Sequence, residues 1–393
     1  MKALVKSLLR HFGLEILRYK KDPLAKQISL KPRTTARGNA LLSYVLAPFL
    51  LKPGQTISND HTHDWESFQI AEILLDLGYA VDVIDYRNFI FRPQKPYSIF
   101  IGARTNFERI SRLINSNCIK IVHLDTAHWI YNNSYAYNRH RELVERRGVA
   151  LNNYKYFEAN QALEWADCAT LHGNQYTQGT YRYAQKPLFP MPNTTCGLYD
   201  SPKNKEWDIC RKNFLWFGSG GLVHKGLDLT LEAFAGMPDY HLYVCGPIEQ
   251  EKKFEQIYTK ELYHTPNIHT KGWVDVNGED FLEVVNHCIG LIYPSSSEGC
   301  AGSVSTCMHA GLIPILTFEC GMDVHDFGII LKNSFIAEIR KTIIELSNLP
   351  IEKLEVMAQS TWVYARNTHT RENFAVEMRR ALEKIIANGI VST

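Results

Sequence analysis

The sequence predicts an α/β chain of two doubly wound parallel-sheet domains facing a cleft, and three observations lead there. The first is size: 393 residues is roughly two to three ordinary domain lengths. The second is that short apolar runs alternate with amphipathic stretches, the pattern of strands buried on both faces and joined by helices. The third is that this alternation runs twice, interrupted by a Pro- and Gly-containing stretch from Lys186 to Glu206. A composition of 45% hydrophobic and 21% charged residues belongs to a folded protein and excludes collagenous and disordered classes.

Residues 1–37 read as a basic amphipathic segment, with ten Lys or Arg against Glu15 and Asp22. This leader carries +8 of a net charge of +2, so the remainder is −6. Leu4, Val5, Leu8, Leu9 and Phe12 recur at helical spacing among Lys2, Lys6 and Arg10. A helix over residues 1–20 could lie on an anionic membrane surface, each basic residue adding ~1 kcal/mol there, or pack on its own domain with its basic side solvated. The acidic body argues against nucleic acid as a partner. Nine scattered cysteines without a C-x-x-C pair suggest reduced thiols and a cytoplasmic address. The longest apolar run, Ala40 to Leu51, is interrupted by Ser43, Tyr44 and Pro48 and falls short of the ~20 residues a membrane span needs. The N-terminus lacks the pattern of a secretory signal. The expected location is the cytoplasm, with peripheral attachment to the inner membrane face through the leader.

The first domain is expected over residues 38–200. Leu41–Leu51 reads as a strand, Trp65–Leu77 as a helix stopping at Gly78, and Ala80–Ile84, Ser98–Gly102 and Ile119–Leu124 as strands. The second, over 201–365, restarts with a strand at Phe214–Phe217, a helix at Leu227–Ala235, a strand at His241–Cys245 and a helix at Lys252–Tyr263. Strands at Asn267–Lys271, Ile289–Tyr293 and Ile313–Leu316 follow. Residues 366–393 hold a C-terminal helix, Thr370–Ala387, that could pack back on the first domain. Two Rossmann-like halves of this kind bind ligands at the carboxyl ends of their strands.

Three pieces of the second half carry chemistry together. Phe217-Gly218-Ser219-Gly220-Gly221 ends a strand, and Lys225-Gly226 opens the next helix; glycines let backbone approach a phosphate, and the lysine adds charge. Glycine turns also end many strands with no ligand, and this one matches neither the dinucleotide fingerprint nor the P-loop. Pro294-Ser295-Ser296-Ser297-Glu298-Gly299-Cys300-Ala301-Gly302-Ser303 joins a strand to a helix, offering a carboxylate for sugar hydroxyls and amides at Gly302 to Val304 for a diphosphate. Cys307-Met308-His309-Ala310-Gly311 closes that helix before Pro314.

In this order the motifs over about residues 213–320 resemble those of retaining GT-B-fold glycosyltransferases, the large bacterial surface-polysaccharide group similar to glycosyltransferase family 4. The resemblance implies transfer of a sugar, of hexosyl type, from a nucleoside diphosphate sugar to an acceptor hydroxyl, with no separate cofactor. Glu298 would be the first of the family's paired glutamates and hold the donor sugar. Lys225, with Ser219, Gly220, Gly299, Gly302, Ser303 and Val304, would surround the diphosphate. The second glutamate falls at Thr306, and the arginine often found after the first strand's glycine is Ser219. Both are departures that weaken the expected grip on the nucleotide. The chain contains no Asp-x-Asp, which fits a metal-independent enzyme.

The first domain would supply acceptor contacts. Asn59 to Ser67 is polar and aromatic, and His61, His63, Asp64 and Trp65 there suit a hydroxyl-rich ligand, with the indole face stacking on a ring. A metal reading of His61, His63 and Asp64 is nonspecific, and no metal is expected; Asp64 or Ser67 as a helix cap and Trp65 as core is the structural alternative. His123 and Asp125 follow another strand; the resemblance puts His123 near the donor sugar, against the alternative of a satisfied buried histidine. Gly173, Asn174 and Thr177 could line the same cleft. The expected acceptor is a glycan or lipid-linked glycan in polysaccharide synthesis. Rival readings are a sugar-nucleotide epimerase or phosphorylase on the same fold, and a non-catalytic nucleotide-sugar-binding protein.

Overall fold

The computed structural model describes residues 23–152 and 155–388, so the expected leader helix over 1–20 lies outside the described residues. The first sheet contains β1 (Gln27–Leu30), β2 (Gly38–Tyr44), β3 (Tyr79–Asp85), β4 (Ile99–Gly102), β5 (Ile119–Leu124), β6 (Cys168–His172) and β7 (Leu188–Met191). Their spatial order is β1-β3-β2-β4-β5-β6-β7, parallel except for β1, which runs antiparallel along β3. The second sheet contains β8 (Asn213–Phe217), β9 (His241–Cys245), β10 (Ile268–Gly272), β11 (Gly290–Tyr293), β12 (Ile313–Thr317) and β13 (Ile329–Leu331). It is parallel throughout, in the order β10-β9-β8-β11-β12-β13. In each sheet the order in which strands are added reverses once, at β2/β4 and at β8/β11. Loops leaving the two strands diverge there and open a crevice.

Three expectations shift. The strand expected over Leu41–Leu51 ends at Tyr44, and Ala47–Leu50 forms a 3₁₀ turn; Pro48 has no N–H to give a ladder. The stretch from Lys186 to Glu206 contains β7, where Pro190 is tolerated because β7 is an edge strand paired only with β6. The helix expected over Lys252–Tyr263 is two helices, Lys252–Ile257 and Thr259–His264. Tyr258 between them turns inward to give its hydroxyl to Glu232.

Each sheet is covered on both faces, as parallel sheets require. On the first, Ile70, Ile73 and Leu74 of the helix Thr62–Asp76 pack with Phe374, Met378, Leu382 and Ile385 of the last helix, Arg371–Asn388. Phe100, Phe107 and Ile110 fill the opposite face. The helix Trp129–Arg147 crosses between the domains. Its Leu143 enters the second domain's core, Arg139 donates to the Pro294 carbonyl at 3.1 Å, and Arg147 pairs with Glu232 and Glu261. Among the described residues, no helix is long and apolar enough to cross a membrane.

Phe374 is 0% exposed and sits where the last helix meets the first domain. Phe374→Ala should cost about 3–5 kcal/mol by leaving a cavity, read as a lower denaturant midpoint in urea unfolding.

Candidate functional site

The site starts from a close approach of two loops at the β8/β11 reversal. Gly226 has φ 74° and begins the helix Leu227–Ala235; a Cβ there would lie 2.5 Å from the Pro294 carbonyl oxygen. With only a hydrogen at that point, Lys225 presses against the loop after β11. Its Nζ donates to Glu298 Oε1 at 2.9 Å and to the Tyr293 hydroxyl at 2.7 Å. Ser295 Oγ donates to the same carboxylate oxygen at 3.2 Å. Lys155, from the first domain, reaches across to donate to Oε2 at 3.2 Å. Burial alone would push the Glu298 carboxyl up, but Lys155 and Lys225 reverse this and hold it well below the usual carboxylate range. For Lys225, burial acts downward and Glu298 more than compensates, so its ammonium is held charged.

Beneath this loop, His224 is fully buried, with Nε2 against the Ser297 carbonyl at 2.5 Å and Nδ1 against Ser296 Oγ at 3.0 Å. Burial, reinforced by Lys155, lowers it to about 3, so the imidazole is neutral.

The carboxyl ends of both sheets meet in a cavity of about 310 Å³. From the sequence-predicted set it brings together His61, His63, Asp125, Ser219, Lys225, Glu298, Gly302, Ser303 and Thr306. The helix Gly302–His309 starts here without a side-chain cap, so its first amides face the cavity. Thr306 Oγ1 donates to the Gly302 carbonyl one turn back at 3.0 Å, so its hydroxyl proton is already used.

Other predicted residues lie elsewhere. The glycine turn after β8 is occupied by a carboxylate of the protein itself: Glu251 Oε1 accepts from the amides of Gly221 at 2.5 Å and Leu222 at 3.1 Å. Gly220 does not line the cavity. The Val304 amide donates to the Ala301 carbonyl and its side chain enters the core. Gly299 abuts the first domain, where a Cβ would lie 2.4 Å from the Asp125 carbonyl oxygen. His61, not Asp64 or Ser67, caps the helix Thr62–Asp76. At about 100° per residue, Asp64 and Trp65 turn away from the face of His63. Trp65 lies against the Phe374 ring at 6.0 Å and under the Arg371 guanidinium at 5.3 Å, so it packs rather than offering its face to a ligand. Asn174 caps the helix Gln175–Thr180 and donates to the Phe318 carbonyl at 3.1 Å, and Thr177 Oγ1 donates to the Gly299 carbonyl at 2.8 Å. That segment latches the domains together and does not line the cleft.

His123 is buried at the end of β5, with Nδ1 2.8 Å from Thr170 Oγ1 and no hydrogen-bond partner for Nε2. Burial, helped by His172, lowers it to about 3, so it is a neutral hydrogen-bonding group and not an acid. It lines a second cavity, of about 400 Å³, walled by aromatic side chains that include Trp129, Tyr156, Phe157 and Tyr183. The two cavities share Arg104, Asp125, Thr126 and Phe157. Arg104 has φ 59° at the head of its helix, an unusual conformation for a side-chain-bearing residue. It donates to Asp125 Oδ2 at 2.7 Å and lies 5.0 Å from the Tyr86 ring centre.

Arg104, Lys155 and His172 carry no motif in the sequence, and Glu66 lies in the Asn59–Ser67 segment without being singled out there. Among the described residues, Glu66, His123 and His172 form the one group able to offer three ligand atoms to a metal, all within 4.8 Å of one another and buried. Asp64 is not in it, and Glu66 also accepts from Thr194 at 2.7 Å.

No protein-family model and no curated protein matches the chain. Solved structures do. A sucrose-phosphate synthase from Thermosynechococcus elongatus superposes with a TM-score of 0.63 at 13% identity, over 89% of this chain and 99% of that one. Anabaena HepE, in complex with UDP and glucose, gives 0.53 at 12% over 89% and 99%. WaaG, a glycosyltransferase involved in lipopolysaccharide biosynthesis, gives 0.51 at 14% over 88% and 99%. At these identities the likeness shows the fold: this chain has the two-domain GT-B architecture expected from its sequence.

Because His224 is neutral when folded, protonation favours the unfolded chain once pH falls below about 6.5. Stability should then drop by ~1.4 kcal/mol per pH unit on this account, down to about 3. His224→Gln should flatten that acid limb by this amount in urea titrations at successive pH values.

Proposed function

We propose that the protein is a glycosyltransferase that moves a sugar, of hexosyl type, from a nucleoside diphosphate sugar to an acceptor hydroxyl. The observation that carries this reading is the ionised Glu298, fixed by Lys225 in a cleft opposite an uncapped helix start. Its Oε1 is anchored by Lys225 and Ser295, and Oε2, held by Lys155 across the cleft, is the oxygen that would accept a sugar hydroxyl. The amides of Gly302 and Ser303 suit the departing diphosphate, whose charge grows as the glycosidic bond breaks. Lysines and helix amides perform this task without a metal at the phosphates, and no cofactor is required. Retention of configuration is the outcome we infer, by a front-face route in which the acceptor enters beside the leaving group.

The acceptor belongs in the second cavity. Its aromatic walls suit a pyranose ring, and Asp125 and Arg104 lie where the cavities meet. A glycan or lipid-linked glycan fits this surface, and the basic residues 1–20 would bring a cytoplasmic enzyme to the anionic inner membrane face. On this reading the chain acts in polysaccharide synthesis. Of the similar structures, HepE accords with the donor reading by holding UDP and glucose, and WaaG, involved in lipopolysaccharide biosynthesis, accords with the pathway.

Binding measured across UDP-, GDP-, ADP- and CMP-sugars should reveal one preferred donor, with transfer only when an acceptor is present. Turnover of the donor without acceptor would instead favour an epimerase. Glu298→Gln and Lys225→Ala should each lower the transfer rate ~10²-fold or more; full rates in both variants would remove the site assignment.

A further inference from the structure

Among the described residues, the Lys and Arg side chains lining the donor cavity are Arg104, Lys155 and Lys225, and each is already paired with a carboxylate. In the glycine turn, the amides of Gly221 and Leu222 are likewise engaged, by Glu251, and that of Gly218 by the Cys245 carbonyl. A nucleoside diphosphate arrives with at least two negative charges. Beyond the free amides at the start of the Gly302–His309 helix, a cleft in this state offers it an ammonium or guanidinium only if one of the three cations changes partner.

The three are not equally free to do so. Removing Arg104 would strip a buried Asp125 of its 2.7 Å ion pair and leave it, among the described residues, with His63 at 3.8 Å. Lys225 is buried between Glu298 and the Tyr293 hydroxyl, on a backbone pinned by Gly226. Lys155 differs. It sits on an irregular segment after the helix Trp129–Arg147, outside any helix or strand. It holds Glu298 through Oε2, while Oε1 keeps Lys225 and Ser295. Its departure therefore leaves no unpaired buried charge. Its stem runs over the glycine turn after β8, close enough that a Cβ on Gly221 would lie 2.9 Å from Lys155 Cδ.

We propose that Lys155, supplied by the first domain, is the mobile counter-ion of the donor diphosphate. Its move from Glu298 Oε2 to the phosphate oxygens frees Oε2 to accept a hydroxyl of the donor sugar. One ammonium thus neutralises the carboxylate in the empty cleft and the diphosphate in the filled one, and links donor arrival to the readiness of Glu298. This inference rests on the nucleotide-sugar reading above. Burial, partly offset by Glu298, lowers Lys155 to about 8 in the empty cleft, so a diphosphate partner would draw a proton onto it in alkaline solution.

Calorimetry on the full chain tests this with two probes: the nucleoside diphosphate of whichever donor the panel selects, and the matching nucleoside. Lys155→Ala should weaken the diphosphate about tenfold or more while changing the nucleoside by less than about twofold, and Lys155→Arg should restore most of the loss. In the wild type, diphosphate affinity should fall as pH rises above about 8, and this slope should vanish in Lys155→Ala. Equal losses for both probes, or none for either, overturn the role of Lys155 while leaving the nucleotide-sugar reading in place. If the wild-type chain binds no nucleoside diphosphate of the panel, both readings fall. Unchanged unfolding midpoints identify the variants as folded.

Discussion

A carboxylate buried in the floor of a cleft has to be neutralised, and the arrangement around Glu298 follows from how this is done. Lys225 comes from its own domain and Lys155 from the other, one on each carboxylate oxygen. The first contact needs the backbone before the Leu227–Ala235 helix to touch the loop after β11, which only glycine at position 226 permits. The second needs the two domains to face each other closely enough for a first-domain lysine to cross the cleft. Lys225 and Ser295 keep the carboxylate paired from within its own domain, and Lys155 adds a contact from across the cleft, so the charge of the second oxygen depends on the approach of the domains.

That approach is held at several points away from the cavity. Arg139 reaches the Pro294 carbonyl, and Asn174 and Thr177 bind carbonyls at Phe318 and Gly299. The backbone of Gly299 rests directly on the end of β5. These are hydrogen bonds to main chain, so they fix the course of the loops as well as the distance between the domains. Leu143 adds an apolar anchor in the second core. The Arg371–Asn388 helix returns the chain to the first domain and shares its core. The cleft is therefore bounded by crossings in both directions along the chain.

The departures at Thr306 and Ser219 gain meaning in this setting. Thr306 uses its hydroxyl proton on its own helix, so it contributes shape and a weak acceptor to the cavity. Ser219 lines the cavity without a charge, beside the Gly221 and Leu222 amides that Glu251 already satisfies. Charge for an anionic ligand then has to come from Lys155 and Lys225 and from the start of the Gly302–His309 helix.

The sequence by itself determined the alternating architecture, because strand and helix periods are local and the same pattern runs through both halves. It located Glu298, Lys225 and Gly302 because they lie in short motifs on loops that leave adjacent strands. It misjudged Trp65, Asn174 and Gly299, whose residue types suit ligands but whose direction depends on helix phase and on the neighbouring domain. It could not reach Lys155 or the Arg104–Asp125 pair, which join segments far apart in the chain through side chains with no local signature. Nor could it reveal that Glu251 fills the glycine turn, since that requires a carboxylate 30 residues downstream to fold onto two amides. Periodicity and motif are properties of neighbours along the chain. The partner of a buried charge is decided only when the tertiary structure brings distant segments within hydrogen-bonding reach.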